Sequence, residues 1–220
     1  MTAEPVKRSY VSPVREQRAA ETRAAIRAAA ARLFVRDGYA TTTLRAVAAE
    51  AGVAERTVYA AFPSKRELYR HVLGVAVVGD DEPVAVAERS EVAEALAGSD
   101  PYAVLAAWTA YGCALLDRAG DLIFVGIEGA GADPDLRSGL DEDARATHAN
   151  HRRAVRRLAA LDALPDGVTV SAATDVLYAL GSPHLHRLLR RDRGWSARRY
   201  RAWVLDTTAP QVLRPDLIPR

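Results

Sequence analysis

The stretch AAEAGVAERTVYAAF, residues 48–62, decides the fold of the N-terminal part of the chain. Gly52 stands between two short segments with helical apolar spacing, Leu44 to Ala51 and residues 55–61. Glycine readily adopts the positive φ that a tight interhelical turn requires, and Val53 is expected to fill the seam between the helices. Two short helices joined at a glycine, after a longer packing helix, are the parts of a helix-turn-helix.

The flanking sequence predicts one further helix on each side. Upstream, a helix begins near Arg15 and ends at Asp37-Gly38, because glycine favours the position after a helix. Its apolar stripe consists of Ala20, Ile26, Ala30, Leu33 and Phe34. Thr41 to Thr43 offer N-cap hydroxyls for the helix at Leu44. Residues 64–67 read SKRE, which matches a capping box and opens a helix that runs to about Val78.

These helices predict a compact apolar core for the N-terminal domain. The face of the second helix that is expected to be buried carries Leu44, Val47, Ala48 and Ala51. The predicted core consists of Leu33, Phe34, Leu44, Val47, Val53, Val58 and Phe62. A direct functional role is not expected for these side chains.

Charge is distributed unevenly along the chain. Residues 1–66 hold twelve Lys or Arg and six Asp or Glu, a net charge of +6. The remaining residues hold 18 basic and 22 acidic side chains, a net charge of −4, which leaves the whole chain at +2. A basic N-terminal domain on an acidic remainder indicates that the N-terminal domain meets a polyanion such as DNA; uneven scatter by chance is the alternative.

Beyond residue 80 the sequence predicts helices only. The predicted segments are 83–98, 101–118, 121–131, 134–161, 169–190 and 196–213, with residues 181–183 (GSP) expected to split the fifth. The predicted fold class is all-α: an N-terminal three-helix helix-turn-helix DNA-binding domain plus a C-terminal antiparallel helical bundle, about nine helices in total. The predicted divisions are a flexible basic arm (1–14), the helix-turn-helix domain (15–66, with the motif at about 43–62) and the bundle (67–220).

Composition excludes several classes of protein. The single cysteine, Cys113, excludes an internal disulfide framework and a zinc site built on paired cysteines, and it favours a reducing, cytoplasmic location. No apolar run approaches the roughly 20 residues that cross a bilayer, and the N-terminus has no apolar signal core, so no membrane partner is expected.

A small helical enzyme or metal protein is the alternative from another functional class. The sequence contains no G-x-S-x-G, H-E-x-x-H, P-loop or dinucleotide fingerprint, so neither catalytic residues nor a cofactor are predicted. His148 and His151 have a spacing that can hold a metal, downstream of Asp141, Glu142 and Asp143, but this pattern is more typical of a solvated helix face. His184 and His186 diverge on a helix, and no metal site is predicted.

Residues 15–70 closely resemble the TetR family of one-component transcriptional regulators. The matching stretches are TRAAI (22–26), AARLF (30–34), GYATTT (38–43), AAEAGV (48–53), RTVY (56–59), Phe62 and SKREL (64–68). More loosely, EGAGADPDL (128–136) and LLRRDRGWSARRYRAW (188–203) resemble a common ligand domain of the family. Two positions depart from the pattern: Ala54 replaces a serine that often precedes the recognition helix, and Ala61 replaces a frequent aromatic residue.

The resemblance implies that the helix at 55–61 enters the major groove of a double-stranded DNA operator. Arg56 would then donate to guanine, and Thr57 would reach a base or its methyl group. Glu55 would accept from cytosine or serve its own helix N-terminus. The remaining candidates for contact with DNA, mainly with its phosphates, are Thr42, Thr43, Arg45, Tyr59 and Lys65. The alternative roles are helix capping for Thr42, core packing for Tyr59 and a solvated surface charge for Lys65.

The resemblance also implies a homodimeric repressor that an unidentified small-molecule effector releases from a palindromic operator, with an activator of the same family as the alternative. Aromatic residues beside small ones leave room for a ligand cavity, although ordinary core packing is the better explanation for any single aromatic residue. The candidate pocket residues are Tyr102, Trp108, Tyr111, Phe124, Glu128 and Tyr178. Glu128 follows an apolar run and is expected to be buried with a partner. The candidate dimer interface consists of Leu177, Leu180, Leu188, Tyr200, Trp203 and Val204.

Overall fold

The computed structural model describes residues 13–79, 86–131 and 133–219. They form two compact units: residues 13–37 with 41–72, the N-terminal unit, and residues 38–40 with the chain from 73 onward, the C-terminal unit. The part of the chain that is described contains helices and no strand, which confirms the all-α fold class. Most of the predicted arm at 1–14 lies outside the described residues.

Four helices build the N-terminal unit, and the last of them continues into the C-terminal unit. They are α1 (Pro13–Asp37), α2 (Leu44–Ala51), α3 (Glu55–Ala61) and α4 (Lys65–Val78). Phe34 of α1 is fully buried and meets the ring of Tyr69 of α4 edge-on, with 5.4 Å between ring centroids. The predicted core is buried apart from Val53, which is half-buried; of the predicted α1 stripe, Ala20 is exposed.

The turn between α2 and α3 depends on a left-handed glycine. Gly52 has φ 67° and ψ 29°, the conformation that side chains with a Cβ rarely adopt. Its N–H donates to the carbonyl of Ala49 at 3.2 Å, and that of Val53 donates to Ala48 at 3.0 Å. This pair of bonds is a Schellman motif, and it ends α2 while directing the chain into α3.

Six α-helices and three shorter helical turns build the described C-terminal unit. They are α5 (Ser90–Ala97), α6 (Pro101–Gly129), α7 (Pro134–Ala160), α8 (Val170–Leu180), α9 (Pro183–His186) and α10 (Ala197–Val212). The turns are the 3₁₀ segments Val86–Glu88 and Pro215–Leu217 and the π-helical turn Arg187–Asp192, which extends α9. Buried apolar side chains of α5 to α8 and α10 form one core, which includes Leu105, Trp108, Val155, Leu158 and Leu177.

Recurring local signals set where these helices begin. Asp100, Asp133 and Ser182 each cap a helix with a side-chain oxygen, and a proline follows each of them at the first helical position. Residues 181–183 do interrupt the segment predicted at 169–190, because Pro183 starts a new helix there.

The two helices predicted at 101–118 and 121–131 are one helix, α6. Gly120 does not break it, because the residue is buried and its missing side chain makes room for a neighbour. A Cβ at Gly120 would lie 2.9 Å from Nδ1 of His186 in α9. Leu122 to Ile127, an apolar run whose composition is typical of a strand, also lie within this helix, since tertiary contacts override local propensity.

A hydrogen-bonded cluster fastens α6 to α9 and the π-helical turn. Nε2 of His186 and Nε of Arg190 lie 3.1 and 2.9 Å from Oδ1 of Asp117. Burial by itself raises the pKa of Asp117, but the hydrogen bonds from His186 and Arg190 outweigh burial and lower it. One turn along α6, Asp121 accepts from Nε of Arg191 at 3.0 Å.

Two glycine-to-alanine substitutions in α6 are expected to have opposite effects on stability. Gly120→Ala forces a methyl group into the buried ring of His186 and should lower the free energy of unfolding by about 1–2 kcal/mol. Gly112→Ala, the matched control, meets nothing within 4 Å. It should raise that free energy by about 0.5–1 kcal/mol, because alanine is the better helix former. Chemical denaturation of both variants checks this; equal effects would contradict the close approach at Gly120.

Candidate functional site

One face of helix α3 is buried in the N-terminal unit, and the opposite face is exposed to solvent. Val58 is fully buried and Phe62, directly after the helix, is 3% exposed. Glu55 and Arg56 are exposed at the first turn, and Tyr59 is 50% exposed. The spacing of Val58 and Phe62, four residues, anchors the helix along one stripe, so the residues of the opposite stripe are available to a partner.

Threonine residues ahead of α2 have different environments. Thr43 is the N-cap: its hydroxyl oxygen accepts from the N–H of Ala46 at 3.1 Å, which leaves the hydroxyl hydrogen free to donate outward. Arg45 is exposed in the first turn of α2. Thr42, by contrast, is only 2% exposed. Its burial removes Thr42 from the candidate phosphate contacts and favours a structural role.

Arg23 of α1 supports the far end of α3, a role that sequence reasoning missed. One guanidinium nitrogen of Arg23 donates to the carbonyl of Ala61 at 3.3 Å, and the guanidinium carbon lies 4.7 Å from the ring centroid of Phe62. A cation at a helix C-terminus meets unpaired carbonyls and the negative end of the helix dipole. The sequence carries no local signal for this contact, because it joins residues 38 positions apart.

Acidic side chains in the N-terminal unit are partly neutralised by arginines. Nε of Arg32 in α1 lies 2.9 Å from Glu50 in α2. Arg36 donates to both carboxylate oxygens of Asp37, and these hydrogen bonds lower the pKa of Asp37. Within the described part of the chain, Arg56 makes no ion pair, so its charge is available at the exposed start of α3.

Three of the six predicted pocket residues lie near one half-buried histidine. Nε1 of Trp108 donates to Nδ1 of His151 at 3.1 Å, and Trp108 stacks on Tyr111 with 6.0 Å between ring centroids. The ring of Tyr178 meets that of His151 edge-on at 6.2 Å. Burial, with a smaller contribution from the charge of His148, lowers the pKa of His151 to about 4, so this histidine is neutral at neutral pH.

The other predicted pocket residues lie elsewhere. Phe124 is sixteen residues further along α6 than Trp108, about 24 Å of helix rise, and Arg187 stacks on its ring at 4.2 Å. Glu128 is exposed, so the expectation of a buried carboxylate is wrong. Tyr102 is half-buried against the main core. One pocket therefore does not hold all six side chains.

A cleft of about 330 Å³ lies at the end of α4 in the C-terminal unit. It is lined by Val78, Gly79, Arg89, Glu91, Tyr111 and Arg118, and it shares only Tyr111 with the predicted pocket. Arg118 of α6 donates to the carbonyl of Val77 at 3.1 Å, which satisfies an end group of α4.

The candidate dimer residues differ in how much surface they offer. Leu177, Tyr200 and Val204 are buried within the chain itself, so a charge placed there would disrupt the fold before any interface. Tyr200 and Val204 pack with Cys113, whose thiol pKa burial raises to about 12, so Cys113 acts as a small apolar side chain. Surface remains on Leu188, which is 49% exposed, and on the half-buried Leu180 and Trp203.

His148 and His151 both meet the ring of Tyr178, whereas His184 and His186 contact other groups. His148 lies 3.3 Å from Asp175, and His184 meets the ring of Phe124. The described residues contain no cluster of three or more His, Cys, Asp or Glu that could hold a metal ion. Among the helices of the described ranges, none is both long and apolar enough to cross a membrane.

Comparison with known proteins places these features in a family. Residues 26–72, which run from α1 into α4, match the family described as bacterial regulatory proteins, tetR family. These residues carry the helix-turn-helix of that family, whose members are DNA-binding transcriptional regulators and not enzymes. A search of curated proteins finds no significant match.

Solved structures of TetR regulators show the same fold over both units. NalD of Pseudomonas aeruginosa, the secondary repressor of the MexAB-OprM multidrug efflux pump, is 21% identical with a TM-score of 0.69, covering 90% of this chain and 99% of NalD. PfmR of Thermus thermophilus is 21% identical, with a TM-score of 0.63 over 86% of this chain and 99% of PfmR. SmeT, solved in complex with triclosan, is 20% identical, with a TM-score of 0.64 over 90% of this chain and 95% of SmeT.

One departure from the TetR pattern has a structural consequence. Ala54 occupies the N-cap position of α3 with φ −66° and ψ 143°, and no side chain caps the helix there. The backbone is already in the extended conformation that a capping serine uses.

Ala54→Ser should therefore raise the free energy of unfolding by about 0.5–1.5 kcal/mol, because its hydroxyl oxygen can accept from a free N–H of the first turn of α3. Ala60→Ser, exposed within the same helix, is the control and should be neutral or slightly destabilising. Thermal denaturation of the two variants measures both changes in stability. An unchanged stability of the Ala54→Ser variant would mean that the first-turn N–H groups of α3 already have other hydrogen-bond partners.

Proposed function

We propose that this chain is a TetR-family regulator: a homodimeric repressor that a small molecule releases from a palindromic operator. The observation that carries the proposal is the exposed, unpaired Arg56 on a helix whose opposite face is anchored by Val58 and Phe62. A short helix held this way can enter a major groove as a rigid body, since its own core contacts stay intact.

The base contacts are assigned to the first turn of α3. Arg56 donates two hydrogen bonds to guanine O6 and N7, the most common specific pairing. Thr57, half-buried beside it, reaches a neighbouring base or its methyl group. Glu55 accepts from cytosine N4 when that base is present, and otherwise it stabilises the N-terminus of α3.

The phosphate contacts are assigned to the flanks of α3. Tyr59 projects from the exposed side of the helix, and Lys65 stands at the first position of α4. On the other flank, Thr43 offers its hydroxyl hydrogen and Arg45 offers its charge. Together with the net charge of +6 in residues 1–66, these groups fix the register of the unit on the duplex.

The C-terminal bundle, 67–220, is assigned to effector binding and dimerisation, and 15–66 to DNA binding. Two copies of the N-terminal domain would read two half-sites about one helical turn apart. An effector releases the regulator from DNA only if it binds the conformation with low affinity for DNA more tightly than the DNA-binding conformation. NalD is a repressor and SmeT is solved in complex with triclosan, and these two neighbours support a repressor that takes a small molecule. An activator would share the same N-terminal unit and differ in the sign of transcription.

Arg56→Ala should abolish discrimination between operator and random duplex while leaving the fold intact. The expected loss is about 1–3 kcal/mol per half-site, because a bidentate contact to guanine disappears. Arg36→Ala removes the same charge from a residue already paired with Asp37, and it should retain discrimination. Competition mobility-shift titrations measure both; preserved discrimination in the Arg56 variant would reject its assignment as a base reader.

Lys65→Ala should weaken binding to all duplex DNA about equally. If the ammonium neutralises one phosphate per subunit, the slope of log K against log salt should fall by about one per subunit. Fluorescence anisotropy on operator and random duplexes over a salt series provides the slopes. A loss confined to the operator would show that Lys65 reads sequence instead.

A further inference from the structure

The cleft at the end of α4 carries more positive than negative charge. Its lining includes two guanidinium groups, Arg89 and Arg118, and one carboxylate, Glu91, which gives these side chains a net charge of +1. Arg118 and Glu91 are exposed, whereas Arg89 is only 8% exposed. A guanidinium keeps its charge even when it is removed from water. Part of the positive charge of the cleft is therefore shielded from solvent.

Backbone groups, and not a carboxylate, hold the guanidinium of Arg118. Its Nη2 donates to the carbonyl of Val77 at 3.1 Å, and its Nε would lie 3.9 Å from a Cβ added at Gly79. In the described part of the chain Arg118 makes no ion pair. The nearest acids on α6, Asp117 and Asp121, are paired with other arginines. The charge of Arg118 is therefore uncompensated, and further N–H donors of its guanidinium remain available to a ligand.

Tyr111 gives the cleft an aromatic wall and a hydroxyl donor. Its ring stacks on that of Trp108, with 6.0 Å between ring centroids and 28° between ring planes. Burial raises the pKa of Tyr111; the charges of the two arginines oppose this rise, and the charge of Glu91 adds to it. The hydroxyl is therefore protonated at neutral pH, lies in the field of all three charges and can donate to an anion.

Two helix ends meet the cleft, and they differ in how far they are compensated. Arg89 is the N-cap of α5 and Glu91 lies in its first turn, where no side chain caps the helix. The positive end of the α5 dipole therefore favours an anion. At the C-terminus of α4, the N–H of Gly79 donates to the carbonyl of Val75 at 2.7 Å, and Arg118 occupies that of Val77. The negative end of the α4 dipole is thereby partly neutralised.

We propose that this cleft is the effector site and that the effector is a compact organic carboxylate, held by Arg118 and Arg89 with Tyr111 as a neutral donor. A neutral ligand would leave the charge of Arg118 uncompensated, and a dianion would exceed the net charge of the lining. The volume of about 330 Å³ lies at the lower end of the range for ligand pockets, so a compact molecule fits. The inference rests on the small-molecule effector of the proposed function, and it adds the site and the chemical class.

Matched pairs of a carboxylate and its amide test the charge requirement on the full chain. The probes are 2-naphthoate with 2-naphthamide and octanoate with octanamide, so that the members of each pair differ in charge and hardly in size. Ligand-observed NMR titrations at low salt should give a Kd of about 1 mM or tighter for at least one carboxylate. Its amide should bind at least about tenfold more weakly, because charge-assisted hydrogen bonds to the guanidinium groups are lost.

Two substitutions in the cleft should change carboxylate binding in opposite directions. Arg118→Gln should raise the Kd at least about tenfold, since it removes the uncompensated charge. Glu91→Gln should lower the Kd about two- to fivefold, since it removes a like charge from the lining. A general loosening of the bundle would weaken binding in both variants, so the gain expected from Glu91→Gln distinguishes a direct electrostatic effect.

Arg156→Gln and Glu142→Gln are the matched controls. Both residues are exposed on α7 and neither lines the cleft, so these variants make the same charge changes elsewhere on the C-terminal unit. Each should leave the carboxylate Kd within about 1.5-fold of wild type, because exposed charges far apart are screened. Circular dichroism checks that every variant is folded. If Arg118→Gln unfolds through loss of its bond to Val77, the gain expected from Glu91→Gln still tests the site.

The outcomes separate this inference from the proposed function. Absence of carboxylate binding up to about 5 mM, equal affinities within each pair, or a Kd that neither cleft substitution changes would overturn the carboxylate site. These titrations contain no DNA, so each such result would leave the operator-binding repressor in place with its effector bound elsewhere. A carboxylate that saturates the cleft yet leaves operator affinity unchanged would overturn the role of the cleft as the effector site. A chain that binds no operator would instead overturn the proposed function.

Discussion

A helix of seven residues cannot persist alone in water, because the entropy lost in forming its first turn exceeds what so few hydrogen bonds return. Helix α3 therefore depends on its attachments. Gly52 ends α2 and directs the chain, Val58 fixes the buried face, and Arg23 closes the last turn through the carbonyl of Ala61. These attachments leave Arg56 exposed in a fixed position, which is the property that sequence-specific DNA recognition needs.

The C-terminal unit is stabilised in a different way. Its helices are long, and buried leucine, valine and alanine side chains hold them together. Polar groups are used sparingly: Asp117 and Asp121 hold α9 and the π-helical turn against α6, and His186 fits only because Gly120 lacks a side chain. The connection between α8 and α10 is thereby fixed.

Local signals explain what the sequence could predict. Glycine, proline and N-cap residues set the ends of α2 and α3 as predicted, and of α4, α7 and α10 within a residue, because these preferences act on the residue itself. The prediction failed where tertiary contacts decide. Gly120 was expected to end a helix, but the ring of the sequence-distant His186 packs against it. Glu128 was expected to be buried and is exposed, and Thr42 was expected to be available to phosphate and is buried. The pocket candidates do not all lie together, because aromatic content does not say which residues of a 29-residue helix share a cavity.

The central claim is that two copies of this helix-turn-helix unit read a symmetric DNA site through α3. Selection of the full-length protein on a pool of random duplexes, followed by hydroxyl-radical footprinting of the enriched sequence, tests it most directly. We predict an inverted repeat with half-site centres about one helical turn apart, or a small multiple of it, and protection confined to one face of the duplex. Enrichment of a single unrepeated site, or of no sequence at all, would contradict the claim.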